Sequence, residues 1–237
     1  MRSAVHLVGI LWLVAGVGVP SGAASAGLIT FTDKAAFQAA LPTAANTLTF
    51  DSLAAGTLIG NGDTVEGITF NYDELAGFGV SLQVLDDFPT TSPPNYLGTD
   101  DGGVFQDGDS FDLGFVVPSF AIGLTLISAD VLFDDDFTLT AGGGSVGLDA
   151  SAVQQTFADG SQAFFLGIID DENPFSSASL VADGGPGGPF FLYNVDDITT
   201  APVPEPASLL LFGTGAAGLA LTGARRRKRP GREKGGG

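Results

Sequence analysis

The chain has 237 residues, with 27 Asp and Glu against nine Lys and Arg, no Cys, and one His and one Trp. Both ends read as targeting segments, and they hold His6, Trp12 and eight of the nine basic residues, so residues 27 to 203 carry 25 acidic side chains, Lys34 alone as a base, and a formal charge of −24. That balance excludes nucleic acid as a partner, because phosphate backbones are repelled, and the lack of Cys and His excludes disulfide frameworks, thiol nucleophiles and imidazole-ligated zinc.

At the N-terminus, Arg2 precedes an apolar run from Leu7 to Val17, and Ala24-Ser25-Ala26 supplies small residues for cleavage, with Ala24 and Ala26 at the signal peptidase site. Residues 1–26 therefore read as a secretory signal, and signal peptidase is the first implied partner. A short strand over Leu28 to Phe31 follows. Thr32-Asp33 then sets an N-cap for a helix over Lys34 to Leu41, which Pro42 ends.

From there the signals are those of strands: Thr47 to Phe50, Gly67 to Tyr72, Val80 to Val84, Ser110 to Val116, Ala121 to Ser128 and Phe137 to Thr140. Phe111, Leu113 and Phe115 fall on one face with Asp112 and Gly114 on the other, and Ile122, Leu124 and Leu126 alternate with Gly123 and Thr125. Val153 to Phe157 and Ala163 to Ile169 flank Ala158-Asp159-Gly160, whose Asp-Gly pair suits a tight hairpin. Ser176 to Val181 and Pro189 to Thr199 complete the set, with long loops expected over residues 87–109 and 182–189. About ten short strands spaced by Gly, Asp, Asn and Pro predict an all-β fold, an antiparallel β-sandwich over residues 27–200 with one short N-terminal helix. Eighteen of the 19 Phe residues lie in this region and are its expected core.

The C-terminus carries the most specific pattern. Ala201 to Pro206 reads as an extended Pro-rich linker, since each Pro fixes its own φ and moves its predecessor out of the helical region. Ala207 to Ala224 is uncharged over 18 residues, which as a helix spans about 27 Å and just crosses a bilayer core. Arg225, Arg226, Arg227, Lys228 and Arg229 follow as a basic stop-transfer cluster, and the tail to Gly237 stays cytoplasmic by the positive-inside rule.

In this order the tail resembles the PEP-CTERM sorting signal of Gram-negative bacteria, with Pro204, Glu205 and Pro206 as its motif. The resemblance implies recognition and cleavage by an exosortase, an integral-membrane protease-like enzyme. It further implies a hold in the inner membrane during sorting and then a place at the cell surface or in the extracellular matrix of a biofilm, with exopolysaccharide as a partner. The body of the chain looks like exported β-sandwich domains found with this signal, through Thr47-Leu48-Thr49-Phe50-Asp51-Ser52-Leu53, Gly67-Ile68-Thr69-Phe70, Ala163-Phe164-Phe165-Leu166-Gly167-Ile168 and Val195-Asp196-Asp197-Ile198. That likeness implies a lectin-like, jelly-roll type of sandwich.

Other motifs are weaker. Gly213 to Gly218 fits a dinucleotide fingerprint but lies within the apolar tail segment, where small residues are ordinary. Gly143-Gly144-Ser145-Val146-Gly147 fits a nucleophile elbow but has no His to serve it, so it reads as a glycine-rich turn. Acidic clusters offer oxygen ligands suited to Ca²⁺, with Asp107, Asp109, Asp196 and Asp197 as the candidate set. None has EF-hand spacing, and a solvated acidic surface is the plainer reading. Tyr96, in a loop beside Pro93-Pro94, is the candidate ring for stacking on a sugar. The expectation is a non-enzymatic protein with no catalytic residue and no required cofactor. A Ca²⁺-assisted carbohydrate-binding module is the alternative, and a carboxylate glycosidase the third reading.

Overall fold

The structure, a computed structural model, describes residues 27–42, 44–73, 79–185 and 188–203. The expected signal segment, membrane helix and basic tail lie outside them. In chain order the elements are β1 (Leu28–Phe31), α1 (Lys34–Ala40), β2 (Asn46–Leu48), β3 (Leu58–Ile59), β4 (Thr64–Val65), β5 (Ile68–Asp73), β6 (Leu82–Leu85) and β7 (Tyr96–Thr99). Then come β8 (Phe105–Gln106), β9 (Ser110–Ser128), β10 (Phe137–Ala141), β11 (Gly144–Gly147), β12 (Gln155–Thr156), β13 (Gln162–Asp170), β14 (Phe175–Ala182) and β15 (Leu192–Pro202). The fold is all-β and antiparallel, with one short helix, as expected.

Two sheet halves share β9. Its first part, Ser110 to Phe115, lies between β5 and β14, with β10 and β11 continuing beyond β14. Its second part, Ala121 to Ser128, lies between β13 and β15. The change of partners falls at Pro118, which has no N–H to give a ladder. There β14 moves from Phe175 opposite Ser119 to Ser177 opposite Gly114, a register shift that leaves Val116 and Val117 exposed. The two strands expected over 110–116 and 121–128 are thus one strand that changes layers.

The inner faces meet in a Phe-rich core. Ile68, Phe70, Phe111, Leu113, Leu139 and Leu180 come from one half, and Leu124, Leu126, Phe164, Leu166 and Val195 from the other. Tyr193 lies 5.1 Å from Phe105, stacked, and 4.7 Å from Phe137, edge-on, and such pairs add about 0.5–1.5 kcal/mol each beyond area burial.

The β13 half is covered on its outer face as well. The Asp33 carboxylate accepts from Ala36 N at 2.6 Å and starts α1, whose Phe37 packs on Phe165, Ala121, Ile169 and Ala201. The ring fits because Gly123 and Gly167 sit opposite each other beneath it. A Cβ on Gly123 would come within 2.9 Å of Phe37 and 2.5 Å of Phe165, and one on Gly167 within 2.7 Å of Phe37.

Three expectations need correction. The loop expected over 87–109 contains β7 and β8, whose burial against the core outweighs their turn-like composition. The glycine-rich turn at 143–147 is mostly β11, hairpinned onto β10. The linker expected from Ala201 begins later, because Ala201 and Pro202 close β15 against β9. Ala201 N donates to Ser119 Oγ at 2.9 Å and Val203 N to the Pro118 carbonyl at 2.9 Å.

Candidate functional site

Consecutive residues of a strand point to opposite faces, yet Asp196 and Asp197 meet the same partners. Their register explains it. Asp197 has φ +51°, and β15 shifts against β9 between Asp196 and Thr199, so a bulge turns both carboxylates toward the outer face.

The segment before β7 folds over them. Asp196 accepts from the Thr90 hydroxyl, from Thr91 Oγ1 at 2.8 Å, from Ser92 N and Oγ at 3.0 Å each, and from Asp197 N at 2.8 Å. Lys34, at the start of α1, donates from Nζ to Asp197 at 2.6 Å and to Thr125 Oγ1 at 3.5 Å. Thr91 Oγ1 lies 2.6 Å from Asp197 as well, so its single proton is shared between the two carboxylates.

Asp196 is 0% exposed. A buried carboxylate survives only with such a shell of donors, each hydrogen bond to a charged group contributing about 1.5–3 kcal/mol. Burial, followed by the neighbouring Asp197 charge, pushes the Asp196 carboxyl above its ordinary value. Burial acts upward on Asp197 too, but the hydrogen bonds from Lys34, Thr91 and Ser92 and the lysine charge hold it below. The cluster is a latch that ties α1, the 90–92 segment and β15 together. Asp196 has no exposed surface for a substrate oxygen, and a general acid must reach the atom it protonates.

Asp107 and Asp109 belong elsewhere. Asp107 accepts from Gly184 N at 2.8 Å and Asp109 from Gln106 N at 2.9 Å, stitching the β8–β9 turn to the end of β14. The four candidate metal ligands therefore form two separate pairs spent on protein donors. Among the described residues no three acidic side chains gather as a metal centre.

Tyr96 is not an exposed loop ring. It lies in β7 at 0% exposure, its hydroxyl donates to Asp87 at 2.5 Å, and burial with that bond raises its pKa well above the ordinary tyrosine value. A ring so placed has no face for a sugar. Thr90, Thr91, Ser92 and Lys34 escaped the sequence reading; a hydroxyl triplet between Pro89 and Pro93 and a lone lysine in an acidic chain were the available signals.

Ala24, Ala26, Pro204, Glu205, Pro206 and Arg225 to Arg229 lie outside the described residues. Among the described residues no helix is long and apolar enough to cross a membrane, and the expected membrane helix lies beyond them.

No curated protein matches the chain. Among solved structures, the K2 cleaved adhesin domain of Lys-gingipain is similar at 14% identity over 68% of this chain and 99% of that one, with a TM-score of 0.41. That distant likeness carries no functional argument. The tail is different, for residues 202–228 match the family model of the PEP-CTERM protein-sorting motif. The chain thus bears a PEP-CTERM sorting signal, which marks it as a secreted protein, sorted at the membrane and processed by exosortase for the cell surface.

Proposed function

We propose that this chain is a non-enzymatic surface protein: an exported β-sandwich that is released from its tail by an exosortase-type enzyme and associates with the exopolysaccharide of the cell, with no resident metal. The junction of fold and tail carries the reading. The sorting motif begins at residue 202, the last residue of β15, so the strand that closes the sandwich runs straight into the sorting segment. Cleavage at Pro204-Glu205-Pro206 leaves the body of the sandwich whole.

The non-enzymatic part is supported by the use of Asp196 and Asp197 within the latch. The polysaccharide part is supported by charge: a body at −24 repels polyanions, which leaves neutral glycan as the compatible matrix component. Cells expressing the wild type and a Pro204→Ala, Glu205→Ala, Pro206→Ala chain test the reading by fractionation. The wild type is expected at the surface in shortened form and the variant at full length in the inner membrane. Identical size and location of the two would sink it.

A further inference from the structure

Beyond the latch, on the same outer face, the 86–95 segment, β9, β15 and the β12–β13 hairpin line an open-sided cavity of about 220 Å³. Phe88, Ile127 and Leu192 give it a mostly apolar lining, with Asn194 beside Ile127 in the strand register and Asp130 and Asp159 among the lining residues.

Two buried side-chain polar atoms among the described residues lack a hydrogen-bond partner, the Tyr193 hydroxyl and Asn194 Oδ1. Tyr193 turns its ring into the inner core, and Asn194, the next residue of β15, lines the cavity at only 4% exposure. A buried amide oxygen left without a partner destabilises the fold, and a bound polar ligand resolves that anomaly once the Asn194 side chain turns toward the cavity. A half-turn of the amide exchanges its donor and acceptor ends, so it serves a hydroxyl in either role.

The remaining groups are pre-set. Asp130 is held by Leu192 N at 2.8 Å, and Asp159 by Ser161 N at 3.0 Å and Ser161 Oγ at 2.7 Å. Phe88 is 44% exposed, its ring 6.0 Å from that of the buried Tyr96. Because the latch ties Thr90, Thr91 and Ser92 to Asp196, the Phe88 wall is anchored to the sheet only a few residues away.

The geometry points to a binding subsite for one neutral pyranose ring of a polysaccharide in this cavity, with Asn194, Asp130 and Asp159 meeting its hydroxyls and Phe88 its C–H face. This assignment rests on the reading of the chain as an exopolysaccharide-associated protein and names the site and ligand class. The volume is below the roughly 300–1,000 Å³ of drug-sized pockets, so it takes a ring rather than a chain. Two carboxylates in its lining disfavour uronates and phosphorylated sugars, while polar groups set among apolar ones suit a ring with hydroxyl edges and C–H faces.

The full chain in a zwitterionic, sugar-free detergent is titrated with the methyl glycosides of glucose, galactose, mannose and N-acetylglucosamine, and with glucuronate and lysine amide. Saturation-transfer NMR and calorimetry read the binding. At least one neutral glycoside is expected to bind, with or without EGTA, and to lose at least about tenfold in affinity in both Asn194→Leu and Phe88→Ala. Asn194→Leu is expected to melt at or above the wild-type temperature, since it removes the unpartnered amide. Phe88→Ala, at an exposed position, covers the case in which Asn194→Leu fails to fold.

Binding of glucuronate or lysine amide alone, loss of binding in EGTA, or affinity unchanged in the variants overturns the assignment. Co-sedimentation with the host's own polysaccharide separates the two levels. If the wild type sediments with it and neither variant is weakened, the cavity is wrong and the exopolysaccharide reading stands; if the wild type binds neither polysaccharide nor glycoside, both fall.

Discussion

The two outer faces of the sandwich have opposite chemistry, and β9 passes through both. From Ser110 to Gly114 its burial alternates, and Asp112 stands in one cross-strand row with Asn71 on β5, Ser179 on β14 and, beyond it, Thr140 on β10. That face carries polar side chains to solvent. From Ala121 to Ser128 every residue is buried, because the inner side meets the core and the outer side meets α1, the latch and the 86–95 segment. Where a sheet face is left open, its polar groups are hydrated and need no partner. Where it is covered, each polar group left without a partner costs stability, and the covered face accordingly holds the hydrogen-bond cluster of the latch, with Asn194 Oδ1 as the exception among its described residues.

The sharpest way to break this contrast is to uncover the covered face. Phe37→Ala empties the slot over Gly123 and Gly167 and is expected to cost about 3–5 kcal/mol, read from urea titration by circular dichroism. A cost near zero would mean that α1 is not part of the cooperative fold.

A smaller effect, sharper in its pH dependence, comes from the latch. Asp197 has a lowered folded pKa, so its contribution is present above its ordinary value of 3.8 and is lost as pH falls through the folded value. Lys34→Met should therefore destabilise at neutral pH and converge on the wild type below about pH 3.8. Asp196 has the opposite sign. Its raised folded pKa means that its contribution is full below 3.8 and is lost as pH rises through the folded value, so Asp196→Asn should gain on the wild type as pH climbs above 3.8. Parallel stability–pH curves for the wild type and both variants would remove the electrostatic account of the latch. The smallest effect belongs to the open face, where Asn71→Ala should change stability by no more than about 0.5 kcal/mol in the same titration.

The legible parts of the chain share a short range. The Asp33 cap and α1 depend on contacts three or four residues apart, and the Asp159-Gly160 hairpin on a glycine at φ +94°. The alternation of Phe111, Leu113 and Phe115 shows because one face of that stretch is open. The stretch from Ala163 to Ile169 is buried on both faces, and there periodicity reports only that a strand exists, not which neighbour covers it. The sorting tail is legible for a different reason: an enzyme reads it as a linear string, so order along the chain is the signal.

Composition and local pattern were enough for the all-β class, the short capped helix, the acidic body without Cys or His, and the address in the tail. Packing between distant elements is what brings Lys34 to Asp197 across 163 residues, puts Tyr96 beneath Phe88 rather than at the surface, and leaves Asn194 Oδ1 without a partner beside a cavity. The division is physical. Capping, turn geometry and alternation are settled by sterics within a few residues, whereas the burial of a polar side chain depends on which distant element closes over it.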